Sequence, residues 1–191
     1  MLQRPVSNDE PLVVVGIDPG TTTLGMSIIK WDCQSPTIDV INAFTLDVTN
    51  AGPGYHNTAG LYGNRQARLQ ALADLTQQVF TDIRPHVVIM ESPYLGKFAD
   101  AFQALTECRM VLRQSLYQYD PQLALMEVDP MTVKAAVGVE IGDKQERKDK
   151  EAVRRALCRL RNIQWGVDPN SLDEHGVDAT AVGLFYLFAK M

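Results

Sequence analysis

Apolar residues recur along this chain with two different spacings. Leu12 to Ile17 is an unbroken, valine-rich apolar run ending in Asp18-Pro19-Gly20, the pattern of a strand covered on both faces and followed by a turn. Leu24 to Trp31 and Ile38 to Leu46 are two further β-favouring runs, joined by the short polar link Asp32 to Thr37. Three consecutive strands on short connections predict an antiparallel meander. The spacing then becomes helical: Leu69, Leu72, Leu75, Val79 and Phe80 predict a helix over Arg65 to Ile83. Val87 to Met90 reads as a fourth strand, Lys97 to Tyr117 as another helix, and Leu123 to Val128 as a fifth strand. Beyond it the pattern is helical: a short turn after Pro130, a basic helix from Asp149 to Arg161, and a last helix from about Leu172 to Lys190. Asp47 to Asn64 is glycine-rich with little apolar content, a loop long enough to suspect a function.

The order βββαβαβ followed by helices predicts an α/β fold, a mixed five-stranded sheet flanked by helices. Strands 1 to 3 are antiparallel, and strands 1, 4 and 5 run parallel through right-handed crossovers. Strand 1 lies beside strand 4, because the meander and the parallel half must meet there. A tail over residues 1–11 precedes one domain over 12–191, with no internal repeat, low-complexity tract or linker.

Composition agrees with a folded domain: 191 residues, 46% hydrophobic and 21% charged, which excludes the disordered, collagenous and coiled-coil classes. The apolar stretch Ala181 to Ala189 is far below the ~18 residues of a membrane span, and the N-terminus carries no signal-peptide core. No membrane partner is expected. Cys33, Cys108 and Cys158 are an odd number at wide spacing, which suggests neither a disulfide framework nor a zinc site and fits a reducing cytoplasm. A net charge of −5 argues against a nucleic-acid partner until its distribution is read. Lys134 to Arg161 holds nine of the eighteen cations and five acids, so that this segment is +4 and the remainder −9. Such a segment is either a solvated helix face or an arm that meets phosphate.

Asp18 closes strand 1 and Glu91 closes strand 4, so parallel neighbours present both carboxylates at the C-terminal edge of the sheet, where ligands sit in open α/β sheets. Ser171-Leu172-Asp173-Glu174 has capping-box spacing and predicts that the last helix starts there. His175 and Asp178 then share one face of its first turns. If that end of the helix points at the sheet edge, Asp18, Glu91, His175 and Asp178 converge. Three carboxylates raise one another's pKa unless compensated, and hard divalent cations such as Mg²⁺ or Mn²⁺ resolve the conflict. Two such ions, roughly 4 Å apart, suit phosphodiester hydrolysis.

Four ordered blocks carry a resemblance. Val15-Gly16-Ile17-Asp18-Pro19-Gly20-Thr21-Thr22-Thr23-Leu24-Gly25 resembles the first motif of RuvC-type Holliday junction resolvases, members of the ribonuclease H-like superfamily. Val88-Ile89-Met90-Glu91-Ser92-Pro93-Tyr94, with the residues from Gly96 to Ala101 and Cys108 to Val111 after it, resembles the second block. Val133 to Gly138 and Asp149 to Val153 resemble the third, and His175 to Ala181 the last. The resemblance implies a metal-dependent, structure-selective endodeoxyribonuclease that resolves four-way junctions or other branched DNA by paired cuts. Its catalytic, metal-holding carboxylates would be Asp18, Glu91 and Asp178. The position three before the last aspartate, often another aspartate, is His175 here, a metal ligand or a proton-transfer group. Lys134 and Lys150 match basic residues near the scissile phosphate. Tyr94 stands where an aromatic stacks on an unpaired base, or is a core tyrosine. Glu107 to Leu116 matches a dimer contact, which implies a homodimer with two sites.

Three other readings compete. Gly16 to Thr22 also resembles the phosphate turn of actin-like ATPases and sugar kinases, but those need two such domains. A YqgF-like RNA-processing nuclease shares the first motif but is less well matched at Lys134, Lys150 and Tyr94. A non-catalytic DNA-binding module would not need every acid.

Overall fold

The computed structural model describes residues 10–93, 99–140 and 151–189. Its sheet holds β1 (Leu12–Asp18), β2 (Thr23–Trp31), β3 (Ile38–Asp47), β4 (Val87–Glu91), β5 (Leu125–Val128) and β6 (Ile163–Trp165), in the order β5-β4-β1-β2-β3-β6. The meander is antiparallel, and β4 runs parallel to both β1 and β5. The register that pairs Ile17 with Met90 sets Asp18 beside Glu91 at one edge. The sheet has six strands rather than five. The additional strand, β6, lies parallel to β3, in a segment whose pattern reads as helical. Ile163-Gln164-Trp165 is too short to show a period-2 signal; it is held by Ile38 N–H donating to Asn162 O (2.9 Å) and Gly166 N–H donating to Val40 O (2.8 Å).

The helices are α1 (His56–Tyr62), α2 (Asn64–Ile83), α3 (Ala99–Tyr119), α4 (Pro130–Ala136), α5 (Ala152–Arg159) and α6 (Glu174–Phe188). Among the described residues none is long and apolar enough to cross a membrane. The continuous apolar character of β1 follows from cover on both faces. Leu12 and Val14 join Ile29, Val87 and Ile89 beneath α5 and α6, where Val153, Leu157, Val182 and Leu187 complete a core. Val15 and Ile17 face the other way, with Met26, Val88 and Met90 against Leu72, Phe80, Leu112 and Leu116 of α2 and α3.

Two local expectations are corrected. The loop over Asp47 to Asn64 contains a 3₁₀ turn at Pro53–Tyr55 and the helix α1. α1 buries none of its residues and has no side-chain cap, so neither hydrophobic period nor capping chemistry marks it in the sequence. The last helix is capped by Asp173, whose Oδ1 accepts from Gly176 N–H at 2.8 Å, while Ser171 Oγ turns back to Asp168 O at 2.7 Å. An aspartate two residues nearer the helix outcompetes the serine because it accepts as a charged group.

α6 lies unusually close to the sheet. A Cβ on Gly16 would stand 2.2 Å from Ala179 O and 2.5 Å from Gly183 N, and one on Gly25 would stand 2.2 Å from His175 O. Gly183 in turn has room only for hydrogen against Ile29 Cδ1 and Ser27 Oγ. Buried Ser27 Oγ donates to Ala179 O at 2.8 Å, a polar bond across the same seam. Gly16→Ala should therefore destabilise the fold by about 1–3 kcal/mol, the range for overpacking. Gly60→Ala, in exposed α1 with nothing within 4 Å, should be neutral or up to ~1 kcal/mol stabilising. Urea denaturation of both variants checks this, and a wild-type midpoint for Gly16→Ala would contradict the close seam.

Candidate functional site

The β1–β4 register and the seat of α6 bring Asp18, Glu91, His175 and Asp178 to one edge, as the sequence predicts. His175 Nδ1 meets Asp18 Oδ2 at 2.7 Å, and His175 Nε2 meets Thr23 Oγ1 at 2.9 Å. Both ring nitrogens are thus engaged, and ligating a metal would require His175 to give one bond up. Thr23, at the start of β2, is a site residue that the sequence reading includes only as part of the first motif. Its hydroxyl fixes the far side of the imidazole, a role visible only once β2 and α6 are seen to touch.

Burial and mutual repulsion shape the titration of this group. Glu91 is pushed up to about 8, first by burial and then by the charges of Asp18 and Asp178; Lys134 works in the opposite direction. Asp178 is pushed up to about 6 by burial and by Asp18, again opposed by Lys134. Burial raises Asp18 as well, with the bond and charge of His175 offsetting part of the effect. For His175 burial lowers the pKa, but the Asp18 bond and the charges of Asp18, Asp173 and Glu174 outweigh it and leave the value raised. Lys134 sits half-buried in the last turn of α4, whose first turn is capped by Asp129 accepting from Met131 N–H (2.9 Å) and Thr132 N–H (3.2 Å).

The donor set is oxygen-rich, half-buried and under-neutralised, which suits a hard divalent cation. Among the described residues no three His, Cys, Asp or Glu side chains already stand as a metal-binding group. A cation would have to draw the carboxylates inward against their present repulsion. Lys150 and Tyr94 lie outside the described residues. The basic segment is in part structural: Arg154 pairs with Glu151 at 2.7 Å and donates to Pro169 O (2.7 Å) and Leu172 O (2.8 Å), fixing the approach to α6. Opposite, Arg68 Nε donates to Thr21 O at 3.2 Å and Cys108 Sγ to Gly20 O at 3.4 Å, so α2 and α3 hold the β1–β2 turn from below.

The electrostatics give a sign that can be measured. A carboxylate whose pKa is higher folded than unfolded stabilises less as pH rises between the two values. For Glu91 that window runs from its ordinary 4.5 to about 8, and for Asp178 from 3.8 to about 6. His175, also raised, acts in the same direction, since its contribution is present at low pH and lost as pH passes its folded value. In EDTA, the melting temperature should fall from pH 5 to pH 8, and Glu91→Gln should flatten the upper half of that slope. Added Mg²⁺ should restore more stability at pH 8 than at pH 5. A metal-free melting temperature that rises over this range would contradict the assignment.

Known proteins resemble this chain along most of its length. The family model described as crossover junction endodeoxyribonuclease RuvC matches residues 14–186. A crossover junction endodeoxyribonuclease RuvC of Christiangramia forsetii is 24% identical over 178 residues, 93% of this chain and 81% of that protein. Among solved structures, Thermus thermophilus RuvC in complex with a Holliday junction substrate superposes with a TM-score of 0.63 at 17% identity, covering 94% of each chain. The yeast mitochondrial Holliday junction resolvase Ydc2 follows at 0.60 and 14%, covering 98% of this chain and 81% of that one. The fowlpox virus resolvase with Holliday junction DNA gives 0.56 and 15%, covering 94% and 99%. With a family model spanning both edge carboxylates of the sheet and the α6 pair, the chain belongs to the RuvC family of crossover junction endodeoxyribonucleases.

Proposed function

We propose that this protein is a metal-dependent, structure-selective endodeoxyribonuclease that resolves Holliday junctions and related branched DNA by phosphodiester hydrolysis. The observation that carries the reading is the convergence of Asp18, Glu91 and Asp178 at one sheet edge within a chain matched along 14–186 by the RuvC model. In our reading Asp18, Glu91 and Asp178 hold two Mg²⁺ or Mn²⁺ ions. Held there, such ions would supply Lewis acidity to the scissile phosphate and to an attacking water near neutral pH.

The chain's own groups have separable tasks. His175, clamped between Asp18 and Thr23, orients the Asp18 carboxylate; as a histidine with a raised pKa it is also placed to hold or pass a proton at Nδ1. Lys134 offsets part of the carboxylate repulsion and, with Lys150, would meet the phosphates flanking the cut. Tyr94 would stack on a base at the branch. Met110 and Tyr117, 55% and 61% exposed and two turns apart on α3, support a homodimer built on that helix, in which two sites make paired cuts. We place the protein in the cytoplasm, where Cys33, Cys108 and Cys158, all unpaired, stay reduced.

Incubation with four-way, Y-shaped and linear duplex DNA, in Mg²⁺, in Mn²⁺ and in EDTA, tests the reading. Paired nicks confined to branched DNA and abolished by EDTA are expected. Asp18→Asn, Glu91→Gln and Asp178→Asn should each lower cleavage by at least about 100-fold, the scale of losing a charge-stabilising group, while junction binding holds or tightens. His175→Asp should retain cutting and shift it toward Mg²⁺ if His175 is a ligand. If His175 transfers protons, aspartate should instead erase a limb of the pH–rate profile near its titration. EDTA-resistant cutting, or normal turnover in an acid variant, would overturn the assignment.

A further inference from the structure

The segment between β3 and β4 forms a helical hairpin that the catalytic reading does not use. The Pro53–Tyr55 turn and α1 pack back along α2: Tyr55 Oη donates to Asp74 Oδ2 at 2.7 Å and Thr58 Oγ1 to Gln70 Oε1 at 2.9 Å, so rising numbers from the turn into α1 meet falling numbers in α2. Gly63, at φ +88°, makes the turn between them, with its N–H donating to Ala59 O at 3.0 Å. At the tip stand Leu61 and Tyr62, 76% and 73% exposed, the two most exposed large hydrophobic side chains among the described residues.

The tip points toward the catalytic edge. β3 ends at Asp47, whose register partner is Thr23, the residue bonded to His175. Arg68 of α2 bonds Thr21 O in the turn beside Asp18. Asn64, at the start of α2, lies one helical turn, about 6 Å, further along than Arg68. Charge favours a polyanionic partner. From Val48 to Ala73 the chain has no Asp or Glu, although its overall charge is −5. Arg65 pairs with Glu107 of α3 at 2.7 Å and so anchors the hairpin. Behind the tip a groove of about 370 Å³ is lined by Asn50, His56, Asn64 and Arg68 among others, and by no acid.

We propose that the α1–α2 hairpin is a second DNA-contacting element, in which Leu61 and Tyr62 stack on bases exposed at a branch point and the acid-free groove takes the adjoining sugar-phosphate backbone. This rests on the branched-DNA reading of the site. Apolar wedges act in this way at unstacked base steps, and an aromatic face accepts any base. The hairpin would thereby open the branch next to the carboxylates, a task distinct from metal binding.

The test pairs a Leu61→Ser/Tyr62→Ala double variant with Tyr62→Phe, comparing each with wild type on a four-way junction carrying 2-aminopurine beside the branch point, in Ca²⁺ to allow binding without relying on cleavage. The double variant should melt like wild type, bind the junction about 5- to 150-fold more weakly, the range of base stacking on an aromatic, and lose the 2-aminopurine fluorescence increase. Its binding to linear duplex should change much less, and Tyr62→Phe should stay within about twofold of wild type. Wild-type affinity and fluorescence in the double variant would overturn the hairpin's role while leaving the resolvase reading intact. Equal losses on linear duplex, or a loss that tracks a change in mass by analytical ultracentrifugation, would also overturn it, the latter assigning the tip to a second copy. Failure of wild type itself to bind or cut junctions would overturn both.

Discussion

The site depends on how closely one helix can approach one sheet. Backbone atoms of α6 rest on Gly16 and Gly25, with Gly183 on the helix side and the Ser27 to Ala179 bond across the seam. Side chains at these glycine positions would push the helix outward, and His175 and Asp178 would be carried away from Asp18 and Glu91. The seam and the candidate site share atoms. The backbone carbonyl that crowds Gly25 belongs to His175 itself.

Close approach has an electrostatic consequence. Asp18, Glu91 and Asp178 are half-buried together, and their raised pKa values reflect the cost of charging them side by side. The His175 bond to Asp18 and the charge of Lys134 relieve only part of it. In the proposed reading a divalent cation drawn between these carboxylates would relieve the repulsion that folding has imposed. The same logic explains why two cationic groups of the basic segment do different work. Lys134 faces the carboxylates, whereas Arg154 is consumed by backbone carbonyls that set the start of α6.

Much of this arrangement is legible in the sequence, for reasons that differ by element. The valine-rich run before Asp18 and the run before Glu91 identify buried parallel strands, and adjacent strand ends then place both acids together. The His175 and Asp178 spacing puts both on one helix face whichever residue caps the helix, so the site survives the shift of the cap from Ser171 to Asp173. Other features carry no local signal. β6 is held by backbone bonds to β3 that no side-chain period announces, and α1 rests on polar bonds to α2 rather than on a buried face. Thr23 belongs to the site through contact between β2 and α6, a relation across 152 positions of sequence.

Whether the seat of α6 creates a cation site shared by three carboxylates can be read from anomalous diffraction of crystals grown or soaked in Mn²⁺. Anomalous density is expected within coordination distance of Asp18, Glu91 and Asp178 together, with the Asp18 carboxylate moved relative to His175. Density elsewhere, or none at Mn²⁺ concentrations that support DNA cleavage, would contradict it.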